Sequence, residues 1–237
     1  MKAPQPFHFK HFSLQQSAEV MKVSTDSILL GSWLHSNTAE NILDIGTGSG
    51  ILSLLAAQKS NAAILAIDIN PAAITVAQLN FRNSVWATQL QAQNTALQDL
   101  HPAALFDVII SNPPYFENDV PSPSKNRNIA RHHTTLSFEE LLLHTARLLH
   151  LNGSAFFAIP AKSTLAFQTI AAQHHLFTVK QLSVISTPDK LPYLTLLQLS
   201  KTRTTPKEET LIVYTEEGKY TSAFIELTKE AYAVNYG

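Results

Sequence analysis

The residues most able to do chemistry sit in one short run, "SNPPYFEN" at 111–118, where an amide precedes two prolines and two aromatics follow. Proline fixes its own φ, and the residue before a proline is pushed toward extended backbone. Asn112, Pro113, Pro114, Tyr115 and Phe116 therefore read as a stiff surface offering fixed hydrogen-bond acceptors beside an aromatic plate. Such a surface suits a planar amine. An amino group on an sp² carbon is a poor nucleophile because its lone pair is delocalised. Acceptors that take both N–H protons let the nitrogen pyramidalise, and a clamp can hold it about 3–3.5 Å from an electrophile. Asn112 Oδ1 and the Pro113 carbonyl are the two candidate acceptors, and Tyr115, with Phe116 as a second plate, would stack on the planar group.

A second constellation lies upstream. "LDIGTGSG" (43–50) runs from an apolar strand through three glycines toward a helix, and Asp44 precedes the glycines within the strand. Gly46, Gly48 and Gly50 permit a tight turn, close backbone approach and free N–H groups aimed at an anion. The next apolar run ends in Asp68, placed to accept from both hydroxyls of a ribose. The spacing is Gly-x-Gly-x-Gly, which differs from the Gly-x-Gly-x-x-Gly of dinucleotide enzymes.

The elements that must hold these residues alternate. "NILDI" (41–45), "AILAID" (63–68), "TQLQA" (88–92), "DVIIS" (107–111) and "SAFFAI" (154–159) read as strands. Helical patterns lie near 50–58, 71–82, 137–149 and 161–174, with Pro71 suited to a first turn and Ser137 with Glu140 forming a capping-box pattern. Strand–helix alternation implies a parallel sheet covered on both faces. Beyond residue 176 three further strand-like runs follow, which suggest an antiparallel C-terminal edge on the same sheet. Eight runs are strand-like, and the fold expected is Rossmann-like α/β, with the mostly parallel sheet taken as seven-stranded. No linker or repeat interrupts the chain, so one domain over 1–237 is expected. The polar loop 112–135 follows the fourth strand, at the carboxyl edge where open α/β sheets bind ligands.

Composition narrows the classes further. The 237 residues are 45% hydrophobic, enough for a sizeable core, and contain no cysteine, which excludes disulfides and thiolate metal sites. His132 and His133 are adjacent without helical His spacing, so no metal site is expected. No apolar run approaches membrane-spanning length and no signal peptide is visible, so the chain reads as soluble and cytoplasmic, with no membrane partner. Net charge is −1, which leaves local patches as the means of meeting phosphate: Lys10 and Lys22 near the start, then Lys125, Arg127, Arg131 and His132 in the loop.

Asp44 with the glycine turn, Asp68 ending the second strand, and Asn-Pro-Pro-Tyr after the fourth resemble the class I S-adenosylmethionine-dependent methyltransferases. The resemblance implies that Gly46, Gly48 and Gly50 line the methionine part of that cofactor, that Asp68 binds its ribose, that Asn94, after the third strand, holds its adenine amino group, and that Asp44 and Asn112 also belong to the cofactor site. "FHFKHFSLQQSAEVMKVSTDSILLGSW" (7–33), "RNIARHH" (127–133) and "YTSAFIELTKEAY" (220–232) are similar to the bacterial tRNA(Val) adenine-N6 methyltransferase family. That places residues 1–36, with Lys22 and Thr25, over the methionine end of the cofactor, and implies tRNA as substrate with no obligatory protein partner. Ser24 and Ser27 stand where glycines are common in relatives. Glutamine-amide or guanine-N2 methylation is the alternative activity, and an RNA- or dinucleotide-binding module without catalysis is the alternative class.

Overall fold

A computed structural model describes residues 5–17, 20, 23–113 and 136–232 of the protein. A short antiparallel pair, β1 (Phe7–His8) and β2 (Ser13–Leu14), precedes helix α1 (Thr25–Trp33). There follow β3 (Asn41–Ile45), α2 (Ile51–Ala57), β4 (Ala63–Asp68), α3 (Pro71–Arg82), β5 (Leu90–Asn94) and β6 (Phe106–Ser111). The last part holds α4 (Phe138–Leu148), β7 (Leu149–Pro160), α5 (Thr164–Gln173), β8 (Phe177–Ile185), β9 (Leu194–Ser200), β10 (Lys207–Ile212) and α6 (Ser222–Thr228). The caps read from sequence are present. Asn70 Oδ1 accepts from Ala72 N with Pro71 at the first turn of α3, and Ser137 and Glu140 satisfy each other's backbone at the start of α4.

Among the described residues β3 to β10 form one eight-stranded sheet in the order β10-β8-β9-β7-β6-β3-β4-β5. The Rossmann-like, mostly parallel fold is borne out, with eight strands where seven were expected. Only β9 is reversed, and it lies inside the sheet, antiparallel to both β7 and β8, while the edge strand β10 pairs parallel with β8. The reason is connectivity. Successive strands β8, β9 and β10 reverse direction at each short connection, and β9 already has β7 and β8 as neighbours, so β10 can pair only with the free side of β8. Strand β5 begins two residues later than expected, in a register that sets Asn94 beside Asp68.

Both faces of the sheet are covered. Ile42, Val108, Ile110 and Phe156 point into one core with Leu29 of α1, Leu54 of α2, Ala77 of α3 and Phe224 of α6. Leu43, Ile109 and Phe157 point into the other, with Leu141 of α4 and Phe167 of α5. Burial on two sides explains why these strands read as unbroken apolar runs. The β1–β2 pair is seated by Phe9, Phe12 and Leu14 in the first core, and Phe9 bridges to Tyr232 just beyond α6. Helix α6 had no counterpart in the sequence reading.

Candidate active site

The three glycines after β3 all have positive φ, at 71°, 57° and 87°, but they serve different ends. Gly46 and Gly48 line a cavity, and a Cβ built on Gly46 would meet no atom within 4 Å. At Gly50 a Cβ would fall 2.5 Å from Phe81 Cε1. That glycine lies outside the cavity wall and lets α2 start against α3. The turn is sewn to the neighbouring strand by Gly46 N and Thr47 N, which both donate to the Ile67 carbonyl at 2.9 and 3.0 Å.

Asp44 lies beneath the turn, fully buried and away from the cavity wall. Its Oδ2 accepts from Thr47 Oγ1 (2.7 Å), Ser53 Oγ (2.7 Å) and Ser53 N (3.1 Å). Its Oδ1 meets no donor among the described residues. Burial pushes the carboxyl up to about 6, against the pull of the Thr47 and Ser53 hydrogen bonds. Asp44 therefore ties the strand, the turn and the first turn of α2 together, a foundation rather than a contact surface. Asp68 does line the cavity, with Oδ2 accepting from Gly48 N at 3.0 Å and Oδ1 from Asn70 N at 2.9 Å. Two backbone donors fix its carboxylate at the end of β4.

The cavity has a volume of about 490 Å³, within the usual range for small-molecule sites. Its floor is the glycine turn, one wall is Asp68 to Asn70 and another is Thr95 to Gln98. Asn94 is not part of that wall. Its Nδ2 donates to the Asp68 carbonyl at 2.8 Å, and the four residues after it face the cavity instead. The two-residue shift of β5 is the cause.

At the opposite side the wall is Ser27, Ser111, Asn112 and Pro113. Ser111 Oγ donates to the Ile45 carbonyl at 2.8 Å, locking the end of β6 to β3. Asn112 Nδ2 donates to Ser27 Oγ at 2.9 Å and more distantly to Ser24 Oγ at 3.4 Å. Ser24 caps α1, and Thr25, exposed at its first position, lies off the wall. Pro113 is buried beside Asn112. Lys22, Pro114, Tyr115, Phe116, Lys125, Arg127, Arg131 and His132 lie outside the described residues. Lys10 is on the β1–β2 pair, where its Nζ meets Glu230 Oε1 at 2.9 Å while His11 meets the other oxygen at 3.3 Å.

Sequence reasoning passed over Asn80. Buried in α3, it accepts from Gln15 N (2.8 Å) and donates to Gln15 O (3.1 Å) and to Ser49 O (2.8 Å). It thus joins the N-terminal segment to the glycine turn. Its one visible signal was a polar residue set in the apolar stripe of Ile74, Ala77 and Phe81.

Known proteins agree with this fold. Residues 19–159 match the family model described as "Methyltransferase small domain". An O-methyltransferase from Agrobacterium tumefaciens, described as predicted, superposes with a TM-score of 0.70 at 15% identity, over 89% of this chain and 98% of that one. A ribosomal protein L11 methylase from Lactobacillus delbrueckii subsp. bulgaricus gives 0.53 at 19% identity, over 75% and 77%. A glycine turn between two parallel strands, an acid closing the second and an Asn-Pro closing the neighbour on the other side define a methyltransferase of the class I fold. The relatives are narrower. The tRNA1(Val) (adenine(37)-N6)-methyltransferases of Bacteroides fragilis and Haemophilus influenzae (strain PittEE) are 37% and 39% identical to this chain, each over 95% of it and 97% of the relative. The chain belongs to that family.

Proposed function

We propose that this methyltransferase moves a methyl group from S-adenosylmethionine to the N6 amino group of adenine 37 in a valine tRNA, in the cytoplasm. The carrying observation is Asn112, its amide held by Ser27 at the edge of the cavity and followed by Pro113. The residues present fit the cofactor. The bare Gly46 leaves room at the turn, and Asp68, already oriented by Gly48 and Asn70, keeps lone pairs for ribose hydroxyls. When bound, the cofactor supplies an electrophilic methyl on a cationic sulfur. Asn112 Oδ1 and the Pro113 carbonyl accept the two N–H protons of the target amine. Held by those two acceptors, the nitrogen would turn its lone pair toward the methyl that the cofactor supplies, and the proton it sheds on transfer would pass to solvent. No strong base is required. Tyr115 and Phe116 would stack on the base, and Lys125, Arg127, Arg131 and His132 would meet flanking phosphates. An anticodon loop is a favourable target because its bases are already unpaired, which lowers the cost of flipping one out.

The reading is tested by incubating the protein with methyl-labelled S-adenosylmethionine and total tRNA, then digesting to nucleosides. Label in N6-methyladenosine is the expected result. Label in N2-methylguanosine, or in protein glutamine when ribosomal extract replaces tRNA, would replace this reading with one of those.

A further inference from the structure

The wall opposite the glycine turn carries a hydroxyl pair whose arrangement is more specific than helix capping requires. Capping of α1 uses only Ser24 Oγ as acceptor for Ser27 N, at 3.2 Å. Yet Ser24 Oγ also donates to Ser27 Oγ at 3.3 Å, and both oxygens receive Asn112 Nδ2. Ser27 is buried and lines the cavity with Asn112.

A carboxamide is nearly symmetric in shape, and rotating it by half a turn exchanges an acceptor for two donors. An asparagine that must accept from an amine is useless in the flipped state, because N–H would then face N–H. The serine pair favours one orientation. Ser24 spends its proton on Ser27, so toward Asn112 it presents only a lone pair. A flipped amide would set Oδ1 against that lone pair and could accept from Ser27 Oγ alone, whereas Nδ2 donates to both serines.

We propose that Ser24 and Ser27 are positioning residues for methyl transfer, fixing the Asn112 amide with Nδ2 toward α1 so that Oδ1 serves as acceptor for the target amine. This rests on the proposed role of Asn112 in the preceding section. The pair acts through Asn112 and touches neither reacting atom.

Ser27→Ala removes the nearer acceptor without disturbing the cap. The expected result is a roughly tenfold fall in the single-turnover rate on tRNA, with S-adenosylmethionine affinity within about threefold and Tm nearly unchanged. Ser24→Thr should retain the rate, because it keeps the hydroxyl. In an Asn112→Ala background Ser27→Ala should cost nothing more, and a full further loss there would overturn the inference. A second readout needs no substrate. The Asn112 side-chain NH₂ resonances, assigned by their disappearance in Asn112→Ala, should shift and exchange faster in Ser27→Ala. Unchanged resonances would overturn the inference even if the wild-type protein methylated no tRNA, whereas an inactive wild type with shifted resonances would strike only the functional reading.

Discussion

The two sides of the cavity are built differently. The glycine-turn side, residues 41–82, is held by bonds between neighbours in sequence: Asp44 to Thr47 and Ser53, three and nine residues on, and Asp68 to Gly48, twenty residues back. The Asn112 side is held by bonds between remote segments, Ser27 to Asn112 across 85 residues and Ser111 to Ile45 across 66. Local construction gives a rigid, preformed half fixed by one short motif. Remote construction makes the amide's orientation depend on whether the N-terminal segment is in place.

The largest break in that comparison is Asn112→Ala. Losing an acceptor aimed at developing charge costs on the order of a hundredfold or more. Single-turnover rates should fall that far while calorimetric affinity for S-adenosylmethionine stays within a few-fold, because the glycine side does not need the amide. A matching loss of affinity would mean that the two sides act as one.

Asp68→Ala probes the other side. A carboxylate–hydroxyl pair is charge-assisted, so the Kd for S-adenosylmethionine should rise about tenfold or more. Unchanged binding would reduce Asp68 to a brace for Gly48 and Asn70.

Asn80→Ala strikes where the sides meet. It leaves Gln15 N and the Ser49 carbonyl without their partner, at a cost of about 1–3 kcal/mol. Both Tm and the methylation rate should drop, and a drop in Tm alone would show that the sides tolerate slippage.

The smallest effect is a pH dependence. Burial raises the Asp44 carboxyl from 3.8 to about 6. A raised folded value gives stability that is complete below pH 3.8 and is lost as pH rises through 6. The Tm of the wild type relative to Asp44→Asn should therefore decline by a few degrees between pH 4 and pH 7. A flat difference would mean that Asp44 stays ionised throughout.

Legibility in the sequence follows the same division. The glycine spacing, Asp68 at a strand end, Pro71 and the Ser137–Glu140 cap were readable because each partner lies within a turn or one strand–helix unit. The reversed inner strand β9 was not, since a run of apolar residues does not say between which strands it inserts. Asn94, expected two residues past the third strand, ends it instead, because propensity does not set register to within two residues. Ser27 read only as a serine standing where glycine is common, and only the fold brings it against Asn112. Lys10 read as part of a patch for phosphate, and its pairing with Glu230 spans 220 residues.

That last separation bears on timing. The β1–β2 pair rests on the other end of the described chain: Lys10 N donates to the Ala231 carbonyl, and Phe9 bridges to Tyr232. Ribosomes make the early residues first, so Phe9 and Lys10 lack these partners until residues near 231 have emerged. The parallel strands β3 to β6 can pair long before that. A nascent chain would thus display its glycine turn before its N-terminal segment has a seat. Contacts of such long range are slow to close, so docking of this segment is a late step in maturation of the enzyme.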